Sequence, residues 1–304
     1  MAVTTYTIFP NTNNGIGGVV EEYLWNWEGQ QLRVIYETLG QGTPVLLLPA
    51  FSTVSTRSEM RGIAELLAPQ FRVVAVDWPG FGQSSRPPLD YCPALYKQFL
   101  GDFAKIFATP AAVVAAGHAA GYVMHLAQQQ SNVWSRVVLA APTWRGPLPT
   151  GMGEHRSYEI LKQLVRSPIL GQALYKLNTT PAFLRFMYQS HVYADPALVT
   201  PSFIQQKWQT TQQLGARFGS AAFVTGALDP VQNQADFLAW FQPLPVPVMV
   251  VIGEQVPSKS RAEMDVLATL PGVQTRRLPG ALGLHEEYPA ALAEVILSFF
   301  EPLA

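Results

Sequence analysis

This chain of 304 residues contains a single cysteine, Cys92. One cysteine excludes an intramolecular disulfide and is typical of a protein from a reducing compartment, so we expect a cytoplasmic location. The neighbours Tyr91 and Pro93 favour a loop or packing position for Cys92 over a catalytic thiol.

Charge is also scarce. Charged residues make up 13% of the chain, and the formal net charge is −1 at pH 7. Such a balance favours neither a nucleic acid nor an acidic membrane as a partner. Apolar residues reach 48%, yet no run of 18 or more is uninterrupted, so no transmembrane segment is predicted. The first ten residues lack a basic and an apolar region, and we therefore expect no secretory signal.

Motifs that bind cofactors and metals are missing as well. No Gly-x-Gly-x-x-Gly follows the first predicted strand, and no Walker loop occurs. No Cys/His cluster has the spacing of metal ligands. The sequence therefore predicts neither a cofactor nor a metal.

What the chain does contain is a regular alternation of apolar runs and helical patterns. Short apolar runs separated by helix-length segments predict strands buried on both faces of a parallel sheet. The runs occupy residues 45–48, 73–76, 113–116, 136–140 and 247–252, with a last strand at 273–278 and a hairpin at 22–27 and 32–37. Candidate helices occupy 58–67, 95–107, 121–130, 261–270 and 289–300. The expected fold class is α/β, with an open, doubly wound, mostly parallel sheet and a hairpin at one edge.

The alternation of strand and helix stops between residues 145 and 242, where prolines separate helical pieces rich in aromatics. We interpret 145–242 as a helical lid over the edge of the sheet where ligands of open α/β sheets bind. Some of its aromatics are expected to face an apolar pocket for a small apolar molecule. The core then comprises 19–144 and 243–304, and the polar, glycine-containing residues 1–18 form a flexible N-terminal arm.

One turn points to chemistry. The apolar run 113–116 leads into Gly117-His118-Ala119-Ala120-Gly121 and then into a helical pattern. This is the strand–turn–helix context of Gly-x-Ser-x-Gly, in which a strained turn lifts a nucleophile to the top of the sheet. The central position is Ala119, whose methyl group cannot attack a carbonyl.

Three motifs together carry a family resemblance. Residues 77–84, with the sequence DWPGFGQS, form one motif, the turn at 117–121 is the second, and the segment 283–289, GLHEEYP, precedes the last predicted helix. Their order and spacing resemble the α/β-hydrolase superfamily from about Glu22 to the C-terminus. The position of the lid is closest to capped members such as haloalkane dehalogenases, epoxide hydrolases and small esterases. The resemblance implies an α/β-hydrolase fold.

The resemblance also implies positions for the catalytic groups. Ala119 stands at the nucleophile position, and Val256, in the string GEQVP, stands at that of the acid. The alternative acid position after the fourth run, residues 141–145, holds no carboxylate. His285 matches the family's histidine and is the candidate base, while Asp229 is interpreted as a turn residue.

An oxyanion hole is implied by two backbone N–H groups. One belongs to Ala120, after the nucleophile position, and the other to Phe51, in the loop after the first apolar run. Ser52 adds a polar group to this ligand-binding set. His118, beside the nucleophile position, is expected to pack beneath the turn.

Two explanations for Ala119 compete: an engineered replacement of a serine, and natural loss. Because the acid position has also lost its carboxylate, natural loss is favoured. Three functions follow. The chain binds an apolar, carbonyl-bearing molecule under the lid without covalent catalysis, or it is a His285-dependent hydrolase or lyase of non-standard mechanism, or it is a serine esterase whose serine was replaced by Ala119.

Overall fold

The structure is a computed structural model, and it describes residues 15–152, 163–165, 167 and 169–300. One sheet of eight strands forms its centre. The strands are β1 (Val19–Trp27), β2 (Gln30–Leu39), β3 (Thr43–Leu48), β4 (Phe71–Val76), β5 (Ala111–Ala116), β6 (Trp134–Ala140), β7 (Val248–Gly253) and β8 (Gln274–Leu278). They lie in the order β1-β2-β4-β3-β5-β6-β7-β8.

The sheet is parallel from β3 to β8, and only the hairpin at one edge is antiparallel. Glu28 and Gly29 form the hairpin turn, and both have positive φ, as tight two-residue hairpin turns require. The central strands β5 and β7 are buried at every position because helices cover both faces. The predicted α/β fold with a doubly wound, mostly parallel sheet is confirmed.

Helices follow the strands as the sequence pattern predicts. Those of the core are α1 (Arg61–Leu67), α2 (Pro93–Phe103), α3 (Ala119–Gln129), α10 (Ser258–Ala268), α11 (Leu284–Glu287) and α12 (Pro289–Phe300). Helix α1 packs against α12, and α2 packs against α3. Within the described residues, no helix has the length and apolar character needed to cross a membrane.

The segment between β6 and β7 consists of helices and connecting loops, with no strand in its described part. It contains α4 (Pro147–Met152), α5 (Leu170–Leu177), α6 (Pro181–Met187), α7 (Pro201–Thr211), α8 (Ala216–Val224) and α9 (Gln234–Ala239), with a π-helical turn at Tyr188–Val192. We call residues 145–242 the inserted segment. Five of its residues form a small apolar cluster with Val54 of the core. They are Leu184, Tyr188, Tyr193, Val199 and Ile204.

Residues 1–14 of the expected N-terminal arm lie outside the described residues. The residues that follow are held on the core: Ile16 is fully buried, and its N–H donates to Glu37 at 2.9 Å. Glu37 also pairs with the buried Arg57 at 2.9 Å, and Arg57 in turn binds Asp77 at 2.5 Å. This ionic network fixes the chain that follows the loop after β3.

Candidate active site

The turn between β5 and α3 has its residue of positive φ before the predicted nucleophile position. Gly117 has a φ of +50°, His118 has helical angles, and Ala119 is the first residue of α3 without a positive φ. The apex of the turn is therefore Gly117, two residues before the predicted position. The reason is intrinsic preference, because glycine accepts positive φ without strain, whereas alanine favours the helix.

The apex faces the edge of the sheet where a ligand is expected. A Cβ added to Gly117 would lie 3.2 Å from the Cβ of Ala50, after β3, and 3.9 Å from the Oγ1 of Thr143, after β6. These loops follow the carboxyl ends of parallel strands, where open α/β sheets bind ligands. Gly117 has no side chain, and Ala119 is fully buried within α3. Neither residue carries an attacking group.

Of the two predicted backbone donors, Ala120 is bonded within the described chain and Phe51 is not. The N–H of Ala120 donates to the carbonyl of Gly117 at 3.2 Å, so it is occupied. Within the described part of the chain, the N–H groups of Phe51 and His118 have no acceptor. With Gly117 at the apex, His118 is the residue that follows it. Ser52 is half-buried, and its hydroxyl accepts the N–H of Val54 at 3.2 Å, which makes it part of a local turn.

Aromatic rings surround the apex. The ring of Phe51 lies 6.1 Å from that of His118 and 5.5 Å from that of Tyr122. Phe223, from α8 of the inserted segment, approaches His118 edge-on at 5.7 Å. The edge of the sheet is therefore apolar at this point, and the inserted segment contributes to it.

His118 and Tyr122 bind the inserted segment by one of its carbonyl groups. The Nε2 of His118 lies 2.9 Å from the Leu228 oxygen, and the Tyr122 hydroxyl donates to the same oxygen at 2.6 Å. The Nε2 is also 3.4 Å from the Oδ1 of Asp229, which accepts the N–H of Gly146 at 2.8 Å. Burial lowers the pKa of His118 to about 4, and its bond to Leu228 opposes that shift. His118 is therefore neutral at pH 7 and donates from Nε2.

Asp229 does lie in a turn, with its N–H bonded to the carbonyl of Gly226. The contacts of its carboxylate with Gly146 and His118 are a tertiary feature that the turn signal alone does not predict.

His285 lies in α11 and is buried, with 3% of its surface exposed. Its Nε2 is 3.4 Å from the Oε2 of Glu59, and its Nδ1 has no partner among the described residues. Glu59 belongs to the 3-10 turn Arg57–Met60, where it also accepts the N–H of Thr56 in a capping box. The candidate base thus has a carboxylate neighbour that sequence reasoning missed, because the family resemblance places the acid after β6 or β7 and Glu59 follows β3.

A buried lysine completes this polar cluster. The Nζ of Lys207, in α7, lies 2.7 Å from Glu286 and 3.8 Å from Glu59. Burial opposes the positive charge, but the two carboxylates more than offset this effect and raise the pKa of Lys207 above its ordinary value. A cavity of about 230 Å³ adjoins the cluster and is lined by Ser58, Arg61, Phe203, Gln206 and Glu286.

The loop after β7 places no carboxylate in the interior. Val256 is buried in the main core, and Glu254 is exposed. Gln255 bonds to Gly280 through both its backbone N–H and its side chain, which fixes the loop. In the part of the chain that the structure describes, no group of three His, Cys, Asp or Glu side chains can hold a metal ion.

Solved structures with the same fold are numerous. A thermophilic esterase from Thermogutta terrifontis is 17% identical to this chain, with a TM-score of 0.71. The match covers 91% of this chain and 96% of the esterase. A bromoperoxidase from Bacillus anthracis is 18% identical with a TM-score of 0.69, covering 91% and 99%. An enol-lactonase from Burkholderia xenovorans LB400 is 18% identical with a TM-score of 0.66, covering 88% and 96%. No curated protein sequence matches the chain.

The family itself is defined by sequence. The sequence model of the alpha/beta hydrolase family matches residues 45–295, which is most of the chain and includes the turn at Gly117, the inserted segment and the loop of His285. The chain belongs to the α/β-hydrolase family.

Proposed function

We propose that this protein is a member of the α/β-hydrolase family that binds a small, apolar, carbonyl-bearing molecule without covalent catalysis. The observation that carries the proposal is the turn after β5, whose apex is Gly117 and whose predicted nucleophile position, Ala119, lies in the first turn of α3. A covalent route requires an activated nucleophile at the apex. The side chains here provide none.

The surroundings of the apex support the proposed class of ligand. The N–H groups of Phe51 and His118 have no acceptor among the described residues, and aromatic rings surround them. Free N–H groups stabilise a carbonyl oxygen, and the rings exclude water from the apolar remainder of a ligand. In this proposal the inserted segment acts as a lid, and Phe223 of α8 covers the bound molecule.

The first experiment tests the absence of covalent chemistry. The protein is incubated with p-nitrophenyl acetate and with a fluorophosphonate probe, and an active serine esterase serves as the positive control. We expect neither turnover nor labelling. Labelling of one serine in this chain, located by mass spectrometry, would contradict the proposal.

A variant separates natural loss from replacement of a serine. We expect Ala119→Ser to remain without esterase activity, because residue 119 is fully buried and the N–H of Ala120 is occupied. The matched variant Gly117→Ser carries the hydroxyl at the apex instead. A burst of p-nitrophenol from Ala119→Ser alone would favour an ordinary serine esterase.

The ligand class is tested with a matched pair of molecules, acetophenone and ethylbenzene. Because the carbonyl oxygen is the group that the free N–H groups recognise, we expect acetophenone to bind roughly tenfold more tightly in a calorimetric or NMR titration. Phe223→Ala should weaken binding, whereas Phe183→Ala, which removes an exposed ring of the same segment, should not. Equal affinity for the two molecules would count against the proposal.

A second candidate function has one observation in its favour, the contact between His285 and Glu59. A histidine oriented by a carboxylate can act as a general base toward water. In that case His285→Gln and Glu59→Gln would each abolish a hydrolytic activity that Ala119→Ser leaves unchanged. If no turnover is detected across esters, lactones and epoxides, this candidate fails.

A further inference from the structure

The solvent-facing side of α5 is apolar. Ile169 is 86% exposed and Leu177 is 68% exposed, and Leu170 and Ala173 are exposed between them. These spacings of one, four and eight residues place the side chains on one face of the helix. The opposite face, with Tyr175, is buried. A surface helix normally shows the reverse arrangement, with its polar face toward water.

Helix α6, the next helix along the chain, also has exposed apolar side chains. Its exposed large side chains are Phe183 and Phe186, of which Phe186 is 59% exposed. We call the five large side chains of the two helices the apolar face; they are Ile169, Leu170, Leu177, Phe183 and Phe186. Most of the exposed large apolar residues in the described chain lie between residues 164 and 214. Grouping of this kind marks an interaction surface, whereas single exposed apolar residues do not.

The stretch of sequence that contains the apolar face has charged residues of one sign. Residues 160–194 contain four Lys or Arg residues and no Asp or Glu, although the whole chain has 20 basic and 21 acidic residues. Lys176 lies exposed beside the apolar face, and Arg185 is half-buried in α6. Arg217 of α8 is drawn to the same helix by its bond of 2.6 Å to Gln172. In the described chain, the cations on or beside these two helices are Lys176, Arg185 and Arg217, and neither helix contains an acidic residue.

We propose that the apolar face docks on an anionic lipid surface. Exposed Ile, Leu and Phe side chains gain free energy by entering the boundary between headgroups and acyl chains, and flanking Lys and Arg residues are attracted to acidic headgroups. At 1.5 Å per residue, the eight residues of α5 span about 12 Å, which suits a helix lying in the interface. Docking through the inserted segment would place the proposed lid at the membrane surface. This inference does not depend on the proposed function.

The test is sedimentation with vesicles. The full chain is mixed with vesicles of phosphatidylcholine alone or with about 30% phosphatidylserine. We expect binding to the anionic vesicles, and we expect a triple variant, Ile169→Ser with Leu177→Ser and Phe186→Ser, to lower the partition coefficient by roughly tenfold or more. Folding should be unaffected because all three side chains are exposed. The matched control replaces Leu24 and Leu66, exposed leucines of β1 and α1, by serine and should bind as the wild type does.

A second pair of variants tests the electrostatic contribution to vesicle binding. Lys176→Gln should weaken binding to anionic vesicles severalfold, while Arg276→Gln, on the exposed edge strand β8, should not. Three outcomes would overturn the proposal: no sedimentation with anionic vesicles, equal binding by the triple variant, or equal binding to neutral vesicles. Self-association in solution that the triple variant abolishes, without vesicle binding, would identify a second copy of the chain as the occupant instead.

Discussion

A glycine at the apex of a strand-to-helix turn accepts a positive φ that other residues adopt only with strain. In this chain that glycine is Gly117, and the neighbouring His118 turns toward the inserted segment and binds the Leu228 carbonyl. A residue beside a nucleophile position has thereby become a structural donor. Because His118 is buried, the free energy of unfolding depends on pH.

The coupling has a definite sign. The pKa of His118 is lowered to about 4 in the folded protein by burial, against 6.5 in the unfolded chain. Between these values the unfolded state binds more protons, so stability falls as pH decreases from 6.5 to 4 and levels off below that range. We expect His118 to account for a loss of about 3 kcal/mol in the free energy of unfolding over this window. Urea unfolding at several pH values measures it.

The control variants isolate this residue. His118→Gln keeps an N–H donor for Leu228 but does not titrate, and we expect its stability to depend less on pH than that of the wild type. His191→Gln, which replaces an exposed histidine of the inserted segment, should behave as the wild type does. If His118→Gln retains the full pH dependence, the assignment is wrong.

At the scale of secondary-structure elements, one ion pair joins helix α7 of the inserted segment to helix α11 of the core. Lys207 and Glu286 are 2.7 Å apart, and Glu59 stands nearby at 3.8 Å. Lys207 is buried and Glu286 is half-buried, so each has lost hydration and is costly without the other. The pair therefore holds α7 against α11, the helix that contains His285.

Removal of the lysine should expose that cost. We expect Lys207→Met to lower the free energy of unfolding by about 3 kcal/mol, because it removes the cation that pairs with Glu286 and lies near the buried Glu59. Chemical denaturation measures the change. The double variant Lys207→Met with Glu286→Gln should recover part of the loss, and Lys259→Met, at an exposed lysine, should change stability little. An effect no larger than that of Lys259→Met would show that the ion pair adds nothing.

At the scale of the whole molecule, the inserted segment is bound to the core at several places, two of which lie beside the candidate site. On one side, the Leu228 carbonyl accepts from His118 and Tyr122, and the Asp229 carboxylate lies 3.4 Å from the same histidine. On the other side, Glu287 of α11 accepts the N–H groups of Ala194 and Asp195. Any opening of the segment for a ligand must break one of these attachments.

Loss of one attachment should loosen the segment locally. Tyr122→Phe removes the hydroxyl that binds Leu228, and we expect it to cost about 1 kcal/mol and to speed amide hydrogen exchange in residues 216–230. The matched control is Tyr96→Phe, whose hydroxyl is equally buried and donates to the Pro79 carbonyl within the core at 2.9 Å. Faster exchange at residues 216–230 in both variants alike would show that Tyr122 has no special part in holding the segment.

Much of the fold could be predicted because its signals are local. Each central strand is a short apolar run such as 113–116, and each helix shows its own periodicity. The α/β architecture therefore follows from neighbours in sequence, although the order of the strands in the sheet does not. The motifs at 77–84, 117–121 and 283–289 then indicate the family. Net charge was less informative, since a value of −1 for the whole chain conceals the basic stretch 160–194.

The site could be predicted only in part. The sequence itself shows that the predicted nucleophile and acid positions hold Ala119 and Val256. The sequence does not show that the positive φ of the turn falls on Gly117 and not on Ala119. That position depends on how β5 and α3 pack against each other. The partners of the two buried histidines, Leu228 for His118 and Glu59 for His285, lie 110 and 226 residues away. Contacts over such distances leave no local pattern, so packing of the inserted segment and the loop after β3 against the sheet decides them.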